Sequence, residues 1–89
     1  MSFIPYKEVQ KAALINYQKN VEVSFAELVD LINLNIEKES ENGNFSVTLD
    51  VTSFYTKAVK KAKELLEAEG YTTRMSNLGD FLTISWDAE

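Results

Sequence analysis

The sequence predicts an α+β domain in two layers, a three-stranded antiparallel sheet packed by helices on one face. Three stretches predict it. Ser53 to Gly70 places Phe54, Tyr55, Ala58, Val59, Ala62, Leu65 and Leu66 in one stripe of a helical wheel, with Lys57, Lys60, Lys63, Glu64 and Glu67 opposite. Phe45-Ser46-Val47-Thr48-Leu49 alternates apolar and polar residues, the period of a half-buried strand. Phe81 to Trp86 is the most apolar of the extended stretches and suits the middle of a sheet.

In chain order, Met1 to Asn20 predicts a first helix, with Pro5 tolerated in the opening turn because its missing N–H would be unpaired there. Tyr6, Val9, Ala13 and Tyr17 share one face with Leu14 at its edge, while Ala12 and Ile15 point elsewhere. Asn20 to Val23 reads as a short connection. Ser24-Phe25-Ala26-Glu27 then has the form of a capping box, with Val23 and Leu28 as its hydrophobic staple. A second helix is expected from there to about Glu41. It carries a core stripe of Phe25, Leu28, Val29, Ile32 and Ile36, and it leaves Leu31 and Leu34 on its flank and back. A short loop favours an antiparallel helix pair, so Ala12 and Ile15 could cover Leu31 and Leu34; the other account is a partner or a second copy.

Asn42-Gly43-Asn44 ends that helix, and the first strand follows. Thr52 or Ser53 is the expected cap of the third helix. Gly70 can adopt the left-handed conformation that stops it, with Tyr71 folding back on Leu66. Tyr71 to Met75 and Phe81 to Trp86 form a hairpin across a turn containing Gly79. The order is α-α-β-α-β-β. A right-handed crossover makes strands 1 and 2 parallel, and strand 3 between them gives spatial order 1-3-2. At 89 residues there is one domain, with a helix over 1–22 packed on or extending from a core over 23–89.

Composition narrows the chemistry. Cysteine and histidine are both absent, which removes thiolate and imidazole nucleophile systems, disulfides and ordinary zinc coordination. Gly43, Gly70 and Gly79 each sit at a break between elements, leaving none for a phosphate loop, and no stretch has calcium-loop spacing. No cofactor, metal site or catalytic residue is expected, and the reading is of a protein that is not an enzyme. A net charge of −5 disfavours direct binding to nucleic acid or to anionic membranes. With no signal-peptide pattern or membrane-spanning run, a cytoplasmic setting is expected.

The candidate surfaces are carboxylate and apolar. If the second and third helices run parallel, Glu37, Glu39 and Glu41 gather with Glu64, Glu67 and Glu69 and with Asp87 and Glu89 into an acidic pole. Such a pole opposes the helix dipoles, which disfavour negative charge at C-termini by about 0.3–1 kcal/mol per exposed group. The pole reads as a solubility device or as a docking face for a basic partner. Ile15, Leu31 and Leu34 are the apolar candidates for partner binding or self-association. Lys57, Lys60 and Lys61 read as a solvated face, and Tyr71 and Trp86 as core aromatics.

Residues 42–89, an alternating strand, a helix ending in Glu69-Gly70-Tyr71, a hairpin and a final Leu82-Thr83-Ile84-Ser85-Trp86, resemble a pattern in small bacteriophage proteins of unassigned, virion or accessory role. The resemblance implies phage origin, in the host cytoplasm or the virion, and supplies no functional residue. The functional expectation is a non-enzymatic protein–protein interaction module, self-association included. The alternatives are an acidic host-directed inhibitor that imitates DNA, or a protein that sequesters a small ligand.

Overall fold

The computed structural model describes residues 3–87, and its first element departs from expectation. One unbroken helix, α1, runs Tyr6–Glu41 where two helices and a connection were expected. Asn20-Val21-Glu22-Val23 contains neither glycine nor proline, and valine in a helix interior costs only a few tenths of a kcal/mol. Once the C-terminal half is held by packing, each added residue propagates the helix without a new nucleation cost. The expected start at Met1 lies outside the described residues.

After α1 come β1 (Ser46–Asp50), α2 (Thr56–Ala68), β2 (Thr72–Met75) and β3 (Phe81–Ser85). The sheet has the expected order β1-β3-β2, with both pairings antiparallel. The register sets Val47 opposite Ile84 and Leu49 opposite Leu82 on one side, with Thr73 opposite Ile84 and Met75 opposite Leu82 on the other. These residues face the helices, joining Leu28 and Ile32 of α1 and Val59 and Ala62 of α2 in the core. Leu28, Leu82 and Ile84 are fully buried. The opposite sheet face carries Thr48 and Thr83, whose hydroxyls lie 2.9 Å apart, with the half-exposed Phe81 at its end. Two layers are complete without a second helical cover.

Caps explain the boundaries. At the end of α2, the Tyr71 N–H donates to the Leu66 carbonyl at 3.0 Å and the Gly70 N–H to Glu67 at 3.1 Å, with Gly70 at φ 103°. That is the expected Schellman stop. The start of α2 differs from expectation. Neither Thr52 nor Ser53 caps it; Tyr55 is the N-cap residue, with no cap from its own side chain. The Asp50 carboxylate instead accepts from the Thr52 N–H at 2.9 Å and hydroxyl at 2.6 Å, turning the chain before the helix. Those bonds to the charged form hold the Asp50 carboxyl below its ordinary value of 3.8.

Candidate interaction surface

Packing stops well before α1 does. Every residue from Phe3 to Asn20 is exposed, and the first buried position of the helix is Ser24. Thirty-six residues of helix span about 54 Å, and the molecule measures 65 × 24 × 21 Å. The N-terminal part of α1 is therefore an arm projecting from a head built of its C-terminal half, α2 and the sheet. Tyr17 is where the two meet, its ring edge-on to Tyr55 at 5.6 Å.

Ser24 has a different task from the one its sequence context predicts. It does not open a helix, since α1 runs through it. Its buried hydroxyl accepts the Tyr55 backbone N–H at 3.2 Å, one of the donors that the start of α2 leaves unpaired. The serine thus caps a helix 31 residues away. Sequence reasoning misses this because the cap reaches across the fold; a lone serine in the Leu28–Ile32 stripe is the signal that could have found it. The same contact fixes direction: α2 starts beside Ser24, and its Leu65 and Leu66 share a groove with Val29 and Ile32 of α1. The two helices run the same way.

Their C-terminal ends consequently meet. An open depression of about 570 Å³ is bordered by Ser40 of α1, Glu69 and Gly70 after α2, Ser85 at the end of β3, and Trp86 and Asp87 beyond it. Glu37, Glu39 and Glu41 occupy the last turns of α1 near this end, with Glu39 accepting from the Asn44 side chain at 2.6 Å. Glu67 is engaged locally, accepting from the Thr73 hydroxyl at 2.6 Å and lying 3.7 Å from the Lys63 ammonium. Glu64 sits away from the pole, lining a groove of about 530 Å³ with Lys57, Lys60 and Lys61 beside Tyr17 and Val21. Glu89 lies outside the described residues.

The apolar candidates separate. Ile15 is on the arm, 46% exposed, and cannot reach Leu31 or Leu34 because one straight helix carries all three. Leu31 is half-buried, and Leu34 is 65% exposed. The expected cover from a folded-back first helix does not exist. Tyr71 and Trp86 pack edge-on at 6.4 Å against the core, and Lys61 lies over the Phe25 ring at 4.4 Å.

Among the described residues, every buried side-chain polar atom is paired and no group of three acidic side chains is placed to hold a metal. No helix among them is long and apolar enough to cross a membrane. Comparison with protein families, curated proteins and solved structures gives no match.

Proposed function

We propose that this chain is a non-enzymatic interaction module whose working surface is the uncovered length of α1. One observation carries the reading. Tyr6, Leu14 and Tyr17, which are 76%, 56% and 42% exposed, continue along the arm the face of α1 that carries Leu28 and Ile32, and every described residue of the helix ahead of the Tyr17–Tyr55 pair is exposed. An isolated helix of this length is marginal in water, and its stability ordinarily comes from packing of an apolar face. An apolar side continued past the end of the core is the signature of a helix that packs against something else. The phage-encoded virion or accessory setting rests on the resemblance of residues 42–89 alone.

The test is a full-length variant with Tyr6→Asp, Leu14→Asp and Tyr17→Asp, all outside the core. Its head is expected to fold as before by circular dichroism, and association with any protein, itself included, to be lost in light scattering and cross-linking. Equal association by the folded variant overturns the reading. The convergence of α1, α2 and β3 at one end supports a second reading, an acidic face that imitates DNA. Charge reversal of Glu37, Glu39 and Glu41 separates the two: it abolishes salt-sensitive capture of nucleic-acid enzymes under the second reading and leaves arm-mediated association intact under the first.

A further inference from the structure

We infer that α1 receives an acidic amphipathic helix of another protein, seated along the arm and running into the groove between α1 and α2. The inference rests on the reading of α1 as a docking surface and names the chemistry of the partner. Its first ground is a row of α1 that the head covers only in part. Lys7, Lys11, Leu14, Gln18 and Val21 succeed one another at steps of four and three, and the same steps lead on to Phe25, Leu28 and Ile32. Within the head, α2 lies against this side: Lys61 stands over the Phe25 ring, and Ala62 and Leu66 share a groove with Val29 and Ile32. Because α2 begins only at Thr56, beside Ser24, the row from Lys7 to Gln18 is exposed. From Lys7 to Val21 it is about 21 Å long, or about four helical turns.

Charge gives the partner its sign. Tyr17, Gln18 and Val21 of α1 face Lys57, Lys60 and Lys61 of α2 across the open groove of about 530 Å³, and Lys7 and Lys11 carry the cations on along the arm. Five of the nine cationic side chains thus follow one track on a chain whose net charge is −5. Glu22 and Glu64 border the same groove, but the ion pair found among the described residues is Lys63 with Glu67, so neither carboxylate neutralises a lysine of the track. No carboxylate interrupts the row from Lys7 to Val21, nor Tyr6, Gln10 and Tyr17 beside it. The first turn of α2 has no acidic residue either, so its positive end adds to the lysines.

The apolar groups between the cations make the partner a polypeptide. Leu14, Tyr17 and Val21 sit among the lysines, with Tyr6 on the same side towards the arm tip. A phosphate backbone offers nothing to cover them. A helix with aliphatic residues at i, i+3 and i+4, flanked by glutamate or aspartate, covers them and meets the ammonium groups in one contact. Every cation of the track is lysine, a point charge without the fork with which arginine grips phosphate, and the one arginine, Arg74, lies on β2. Net negative charge opposes nucleic acid at long range. The site is a groove between two helices, a shape that a third helix fills and a flat bilayer bridges over.

The probe is a dye-labelled synthetic helical peptide of about four turns, with leucine at i, i+3, i+4 and i+7 and glutamate on both flanks. Its binding to the full-length protein is followed by fluorescence anisotropy. Saturable binding is expected, weakened at least tenfold by Lys7→Glu/Lys11→Glu and by Lys57→Glu/Lys60→Glu; the second pair spares Lys61, which covers Phe25. Lys19→Glu/Lys38→Glu makes the same change of charge on other sides of α1 and should leave binding unchanged. Circular dichroism checks that each variant is folded. Replacing every glutamate of the peptide by glutamine, or every leucine by serine, should each cost at least tenfold. Equal binding by the serine peptide means simple ion exchange, and tighter binding to a single-stranded oligonucleotide or to anionic vesicles means a different class of partner; either overturns the inference. Absence of peptide binding overturns it too, while the aspartate variant decides separately whether α1 docks on any protein.

Discussion

Deleting residues 1–20 should cost the head less stability than removing a single buried leucine. All of residues 3–20 are exposed, and the deleted segment meets the head at its end, where Tyr17 pairs edge-on with Tyr55 and borders with Gln18 the open groove lined by Lys57, Lys60 and Lys61. Such a pair is worth about 0.5–1.5 kcal/mol. The truncated chain still begins ahead of Ser24, so the hydroxyl that caps α2 and the Leu28–Ile32 stripe are retained. The expected loss is therefore about 1 kcal/mol, a shift of roughly 4–8 °C in Tm for a domain of this size. The internal standard is Leu28→Ala, at a residue with no exposed surface, where the lost transfer energy and the cavity together cost about 2–5 kcal/mol. Urea unfolding followed by circular dichroism and by Trp86 fluorescence compares the three chains. It is run at two protein concentrations, because any stability lent by a second copy scales with concentration. A truncation as costly as Leu28→Ala at the lower concentration, or one that fails to fold, would refute the division into head and arm.

Ser24→Ala should destabilise the head by about 1–3 kcal/mol in the same urea assay, because it strands the Tyr55 N–H that the hydroxyl accepts at 3.2 Å; a neutral substitution would show that water replaces the serine. Gly70→Ala meets no neighbour within 4 Å, so its cost, about 1–2 kcal/mol, comes from the backbone at φ 103° alone, and a substitution that leaves the thermal midpoint unmoved would place the helix stop elsewhere. Asp50 has a carboxyl held below 3.8 by the Thr52 hydroxyl and N–H, so its contribution is fully present above 3.8 and is lost as pH falls through the lower folded value. Asp50→Asn should flatten that part of an acid-unfolding curve, and an unchanged curve would remove the Thr52 bonds as its cause.

Much of the architecture was legible because it is written in local periods and stops. The alternation in Phe45–Leu49, the stripe of Ala58, Val59 and Ala62, and the Gly70-Tyr71 stop each depend on residues within a few positions, and the sheet order follows from one crossover and one hairpin. Errors of a residue or two at boundaries are of the same local kind: β1 starts at Ser46, not Phe45, whose exposed ring leaves only its carbonyl to accept the Trp86 N–H. The interaction surface was legible in composition but not in place. Leu34 and Ile15 were recognisable as apolar groups outside the core stripe, and whether they covered each other depended on a bend that nothing local forbids or requires.

The amino-acid sequence by itself determined the α+β class, the strand order, the helix stop at Gly70 and the absence of cysteine and histidine chemistry. Tertiary structure decided that Ser24 serves α2 and not its own helix, and that α1 runs straight on, leaving an exposed arm projecting from the head. The reason is that a hydroxyl in a capping pattern has two competing uses. It bends the chain if its nearest N–H groups need an acceptor, and it leaves the helix whole if a buried N–H 31 residues away needs one instead.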